Sequence, residues 1–161
     1  MMWRKLLLVI MLGVASSAWA GSKDVVVKNA WLRESVPGQT TASVQLDLTC
    51  TTAAGKLVAV DSPVAESAEM QRLWPSHGKV KMVHVPNVRL PRGRAVSFGE
   101  RTISLMLLDL KQPLKVGDQV PVNLTVMLSD GKKLTVETQA EVRPLELSYK
   151  HYQDAEVQDH K

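Results

Sequence analysis

Few residues of this sequence could do chemistry, and most of them are soft or weakly basic. The chain has one cysteine, four histidines and seven methionines. Thioether sulfur is a soft metal ligand, whereas imidazole can act as a base or as a ligand for several metals. The sequence contains no nucleophile-elbow serine motif, no phosphate-binding glycine loop and no His-Glu-x-x-His zinc motif. These observations argue against an enzyme.

The single cysteine, Cys50, limits the covalent chemistry further. One cysteine can form no intramolecular disulfide and no Cys-x-x-Cys site. Cys50 ends an alternating run, 42–50, in which every even position is apolar and the odd positions are polar. We therefore interpret Cys50 as a small core residue rather than a reactive thiol.

The other polar candidates have simpler explanations. His77 lies in a Pro-Ser-His-Gly turn, and His151 and His160 lie near the end of the chain, where solvated residues are the rule. A group of nearby arginines has two possible interpretations: a patch that binds an anion or a partner, or a solvated turn. That group surrounds a Pro-Arg-Gly-Arg turn and consists of Arg89, Arg92, Arg94 and Arg101.

The segments that would position these side chains mostly alternate between apolar and polar residues, which is the pattern of β-strands with one buried face. The runs 120–128 and 134–142 alternate on either side of Ser129-Asp130-Gly131-Lys132, which predicts a hairpin with positive φ at both central turn residues. No long segment has helical periodicity, so the pattern predicts an antiparallel β-sandwich or barrel. The shorter strand candidates are 25–32, 56–60, 68–74, 80–85, 95–98 and 103–110.

The two ends of the chain differ from this middle part. Residues 1–20 are predicted to be a signal peptide, because they combine a positively charged N-terminal region, the apolar run 6–15 and an Ala18-x-Ala20 cleavage site. The apolar run is too short to form a permanent membrane anchor. We expect one domain over 21–144 and a polar C-terminal tail over 145–161. Loss of Arg4 and Lys5 would reduce the net charge from +4 to +2, which gives no reason to expect nucleic acid as a partner.

Several segments of the sequence match those of a known protein family in their residues, order and spacing. They include Asn29-Ala30-Trp31-Leu32-Arg33, Asp61-Ser62-Pro63-Val64-Ala65, Val80-Lys81-Met82, Leu105-Met106-Leu107 and the run 110–118. From about Val25 to Val142 the chain resembles the periplasmic copper chaperones of the PCu(A)C family. The resemblance implies a cupredoxin-like Greek-key β-sandwich in the periplasm. It also implies exchange of copper with a copper-receiving or copper-donating periplasmic protein, and we expect the chain to be a monomer.

The resemblance also implies where copper would bind. Members of the family use two histidines and two methionines with the spacing His-x10-Met-x21-His-x-Met. On this sequence the four positions are Gln71, Met82, Ser104 and Met106. Both methionines are retained and both histidines are replaced by poor copper ligands.

Two neighbouring groups could complete an altered site. His84 follows Met82 by two residues on the same strand face, about 7 Å along the strand. Met70 adjoins Gln71, and it needs a bulge or a loop to reach that face. The hypothesis is a Cu(I) site formed by Met82, Met106, Met70 and His84. The alternative is a metal-free interaction module that keeps the scaffold.

Overall fold

The computed structural model describes residues 23–99, 101 and 103–145, and in this part of the chain it is built from β-strands. The predicted signal peptide lies outside the described residues. So does the predicted tail apart from Leu145, including His151 and His160. The described part includes no helix of the length and apolar character that a membrane span requires. The strands are β1 (Val25–Arg33), β2 (Thr41–Cys50), β3 (Gly55–Asp61), β4 (Ala65–Ser76), β5 (Lys79–His84), β6 (Val88–Leu90), β7 (Ala95–Phe98), β8 (Ile103–Leu110), β9 (Gln119–Leu128) and β10 (Lys133–Arg143).

The strands follow one hydrogen-bonded path in the order β5-β4-β8-β2-β1-β10-β9-β3-β6, and β7 pairs with β2 beside β8. The predicted all-β fold is confirmed, and its pairings are antiparallel except for one. β1 pairs with β10 in parallel, with Trp31 opposite Glu141. Parallel neighbours need a long connection rather than a tight turn. β1 and β10 come from opposite ends of the domain, so the chain between them supplies that connection.

Alternating side chains of the strands fill one core. The even positions of β2 are buried and the odd ones are partly exposed, as the sequence predicts. Cys50 is fully buried among these core residues, and burial raises the pKa of its thiol. The interpretation of Cys50 as a core residue is confirmed.

The hairpin predicted between β9 and β10 is present, but its turn differs from the prediction. The Leu128 N–H donates to the Lys132 carbonyl oxygen at 2.8 Å, which leaves three loop residues rather than two. Gly131 has a φ of 86°, whereas Asp130 is not among the non-glycine residues with positive φ. The prediction of positive φ at Asp130 was therefore wrong. Its carboxylate instead accepts a hydrogen bond from the Lys132 backbone N–H at 2.9 Å.

Asp47 connects three strands on the outer side of β2. Its carboxylate accepts hydrogen bonds from the Ser97 hydroxyl of β7 at 2.6 Å and from the Asn29 side-chain amide of β1 at 2.8 Å. Asn29 lies where the pairing of β1 with β2 shifts register, and its φ is 52°. Both hydrogen bonds hold the pKa of Asp47 below its ordinary value, and the one from Ser97 has the larger effect.

We expect this carboxylate to make folding more favourable at neutral pH than in acid. Its pKa is lower in the folded chain than the unfolded value of about 3.9. Its contribution is therefore fully present above that value and is lost as the pH falls through the folded pKa. Asp47→Asn should lower the free energy of unfolding by about 1 kcal/mol at pH 7, allowing for solvent screening. Urea unfolding at several pH values tests this, and identical pH profiles for the variant and the parent chain would contradict it.

Candidate metal-binding face

Three adjacent strands, β5, β4 and β8, position the side chains that the sequence singled out. Residues directly opposite each other in antiparallel strands point to the same side of the sheet. Gln71 of β4 lies opposite both His84 of β5 and Ser104 of β8. Along the same strands, Leu73 lies opposite Met82, and Glu69 lies opposite Met106. We call this side, which carries Glu69, Gln71, Leu73, Met82, His84, Ser104 and Met106, the outer face.

The two methionines that the family spacing selects both lie outside the core. Met82 is 49% exposed, and Met106 is partly exposed. Neither belongs to the buried cluster or to the apolar residues packed against it. A gap-filling role in the core, which is the default for a methionine on a strand, therefore does not explain them.

Met82 and Met106 are not direct neighbours on this face. They lie two strands apart, and their partners on β4, Leu73 and Glu69, are four residues apart. In a flat sheet that places their Cα atoms about 16 Å from each other. That separation exceeds the reach of two methionine side chains around one ion, so both sulfurs can share an ion only if the paired strands β4 and β5 curve toward β8. Gln71 lies between the two methionines, and a shared ion would then be close to the row that contains Gln71 and His84.

Met70 does not join this group. It is 3% exposed, lies in the core and pairs with Leu105 on the side of the sheet opposite the outer face. The pairing of β4 with β8 runs without a register shift between Ala65 and Arg72, so no bulge turns Met70 outward. The structure therefore does not bring Met70 together with Met82, Met106 and His84.

His84 has a partner that the sequence analysis missed. Its Nδ1 lies 3.9 Å from the Glu69 Oε2, and the His84 side chain is 61% exposed. This separation is too long for a hydrogen bond, so the carboxylate lies near the imidazole without fixing its orientation. The same Glu69 oxygen accepts a hydrogen bond from the Gln71 Nε2 at 3.1 Å. Glu69 lies two residues before Gln71 on the same strand, and this period-2 spacing is the signal that could have identified it.

The two residues that replace the family histidines are engaged within the protein. The Ser104 hydroxyl is buried and donates to the Gly99 carbonyl oxygen at 3.3 Å. The Gln71 amide is held by Glu69. Of the candidate ligands, the outer face therefore offers one imidazole and two thioethers, a combination suited to Cu(I) rather than Cu(II).

The remaining candidates lie elsewhere in the described part of the chain. His77 is in the turn between β4 and β5, with its Nδ1 3.2 Å from the Ser76 hydroxyl. The four arginines are exposed, and Arg89 lies opposite Lys56 in the pairing of β6 with β3. None of them belongs to the outer face.

Comparisons with known proteins agree with this architecture. The model of the LpqE-like family, which is named for a lipoprotein, matches residues 25–140. Among curated proteins, none matches the sequence. The solution structure of Cu(I)-DR1885 from Deinococcus radiodurans is 28% identical, with 79% of this chain and 85% of that chain covered and a TM-score of 0.53.

Two further solved structures are similar. The apo form of DR1885 from Deinococcus radiodurans is 26% identical, with 89% of this chain and 95% of that one covered and a TM-score of 0.53. The copper-bound PCuAC domain from PmoF2 is 17% identical, with 74% and 94% covered and a TM-score of 0.56. These likenesses confirm the cupredoxin-like sandwich predicted from the sequence.

Proposed function

This chain belongs to the LpqE-like family, and from that premise we propose that it is an exported copper chaperone-like protein that carries Cu(I) on its outer face. The proposal is supported by two similar solved structures, the copper-bound PCuAC domain from PmoF2 and Cu(I)-DR1885. It assigns the metal to Met82, Met106 and His84. The set of candidate ligands from the sequence thereby loses Met70, because that side chain is buried on the opposite side of the sheet.

One observation carries the proposal: two methionines and a histidine lie on the same solvent-facing side of β5, β4 and β8. Soft thioethers favour Cu(I), and a single imidazole adds a ligand that accepts this ion. Because His84 is opposite Gln71, its imidazole projects from the strand beside one of the family's histidine positions. Glu69 lies near His84, with its Oε2 3.9 Å from the His84 Nδ1, and we assign it the role of orienting the imidazole when Nε2 binds the metal.

The proposal also covers the cellular location of the protein and the exchange of copper with a partner. The signal peptide predicted over 1–20 would deliver the domain to the periplasm, where a partner protein would donate or receive copper. Cys50, the one cysteine in the sequence, is buried in β2 and is therefore unsuited to carry a lipid. We propose a monomer without enzymatic activity, released after cleavage.

A competition titration with a chromogenic Cu(I) chelator tests this function. We expect binding tighter than micromolar, and a loss of at least about 100-fold in the Met82→Ala, Met106→Ala double variant, since even groups that only support a ligand typically contribute about 10- to 100-fold. Met127→Ala is the matched control, because Met127 is 43% exposed on β9 and belongs to a different part of the sheet. Affinity no tighter than micromolar, or an equal loss in the control, would contradict copper carriage.

A metal-free interaction module is the second candidate. It is favoured by the two positions at which the family histidines are replaced, since the Gln71 amide and the Ser104 hydroxyl both form hydrogen bonds within the protein. The same titration separates the two functions. An intact fold that binds no Cu(I) would support the interaction module.

A further inference from the structure

The hairpin formed by β4 and β5 extends beyond the sandwich. Among residues 23–99, 101 and 103–145, the last pair between β4 and β8 is Arg72 with Ile103, whereas β4 and β5 remain paired as far as Ser76 and Lys79. β5 is also the first strand of the path, so its outer edge has no strand partner within the described residues. We call residues 72–83 the projecting hairpin.

Apolar side chains are exposed on both sides of the projecting hairpin. The pairing puts Leu73, Val80 and Met82 on the side of the outer face, and Trp74 and Val83 on the other side. Their exposed fractions lie between 39% and 65%. Five of the nine large hydrophobic residues that are exposed in the described part of the chain are therefore found within this short element.

The projecting hairpin is also strongly basic. Arg72, Lys79 and Lys81 lie in it, and no aspartate or glutamate occurs between Glu69 and Glu100. The Arg72 guanidinium lies over the Trp74 ring, 4.6 Å from its centroid, which keeps the indole at the side of the hairpin. Lys81 is opposite Trp74, so the cations border the exposed apolar groups.

We propose that the projecting hairpin binds the surface of an anionic lipid bilayer. A tryptophan with lysines and an arginine around exposed aliphatic groups is the combination that membrane interfaces favour. A lipid interface can surround an element whose two sides are both apolar, whereas the groove of a folded partner would cover one side. Lysine stems can lie along the apolar surface while their ammonium groups reach the headgroup phosphates.

The unpaired edge of β5 sets the depth of this contact. Backbone N–H and C=O groups without partners are costly in the hydrocarbon region. The hairpin therefore lies among the headgroups, where water and phosphate oxygens satisfy that edge. The proposal does not require copper, so it is independent of the proposed function.

The test uses the chain from Gly21, because the predicted signal peptide would itself bind lipid. The core residues of the described part of the chain lie between Val25 and Val142, so the chain from Gly21 retains all of them. Copper-free protein is sedimented with vesicles of phosphatidylglycerol and phosphatidylcholine in equal parts, and with vesicles of phosphatidylcholine alone. We expect binding to the anionic vesicles, with little binding to the neutral ones. In a Trp31→Phe background, where Trp74 is the one tryptophan left, we expect a blue shift of the fluorescence.

Charge and apolar variants locate the contact. Lys79→Gln with Lys81→Gln should weaken binding to the anionic vesicles about 30-fold, at about fivefold for each lysine. Leu73→Ser with Val80→Ser should weaken it as well, without a change in charge. The matched control is Lys56→Gln with Lys133→Gln, which removes the same charge from β3 and β10 and should leave binding unchanged.

Three results would overturn the proposal. The first is no sedimentation with anionic vesicles, and the second is an equal loss of binding in the control variant. The third is binding of the hairpin to soluble polyglutamate but not to vesicles, which would assign it to an acidic protein partner. None of these results would affect the Cu(I) titration, because they are measured without metal.

Discussion

Replacing Gln71 with histidine is expected to raise the affinity for Cu(I) by about 10- to 100-fold and to produce measurable Cu(II) binding. Gln71 lies directly opposite His84, and the Cβ atoms of such a pair are about 5 Å apart. The substitution exchanges a poor amide ligand for an imidazole, which binds copper in both oxidation states. The magnitude follows the typical effect of a group that supports a metal ligand, which a direct ligand should at least equal.

Gln139→His provides a close control for this gain. Gln139 is a partly buried glutamine on β10, and its Nε2 is 3.5 Å from the carboxylate oxygen of Glu137, two residues earlier. Gln71 has the same relation to Glu69. The two substitutions therefore change similar local environments, but only one lies on the outer face. Competition titration with Cu(I), together with absorption spectra in Cu(II), measures the difference. Equal affinities in the two variants would contradict the placement of the metal near Gln71.

Truncation of Leu107 is expected to lower the free energy of unfolding by about 2–5 kcal/mol. Leu107 is fully buried at the centre of β8, where it lies opposite Ala42 of β2 and Ala68 of β4. The two small neighbours cannot fill the space that Leu107→Ala leaves, so the cost should include a cavity term. Since domains of this size are typically stable by about 5–15 kcal/mol, such a loss would be a large part of the total.

The neighbouring residue gives the comparison for this prediction. Leu108 has the same side chain on the same strand, but it points to the other side and is only partly buried. Leu108→Ala should therefore cost clearly less than Leu107→Ala. Urea unfolding at neutral pH, analysed by linear extrapolation, gives both values. Equal costs would mean that the two sides of β8 are equally buried, against the structure.

Most strands were predictable because their burial is one-sided. A strand with one buried face alternates with period 2, and β2, β9 and β10 show that pattern over nine or more residues. β6 was not predicted. Its three residues, Val88–Leu90, are too few to show a period, and Pro86 and Pro91 flank them closely. The parallel pairing of β1 with β10 was also not predictable, because it joins segments whose local patterns carry no information about each other.

The candidate site was predictable in part, for a similar reason. Alternation along a strand correctly predicts that Met70 and Gln71 point to opposite faces of the sheet and that Ser104 and Met106 point to the same face. The relation of His84 to Glu69 depends instead on the register of β4 against β5, which a single sequence does not specify. Glu69 also has a hard carboxylate, so a search for soft copper ligands passes over it.

The parallel pair of β1 and β10 has a consequence for the order of folding. Trp31 and Glu141 are about 110 residues apart, so the first strand cannot complete its pairing until nearly the whole domain is present. Closing so long a loop is entropically costly, and folds rich in such contacts form in milliseconds to seconds rather than microseconds. A chain emerging amino-terminus first would therefore hold β1 with only β2 as its partner. The last strand to emerge would complete the sandwich by adding to the first.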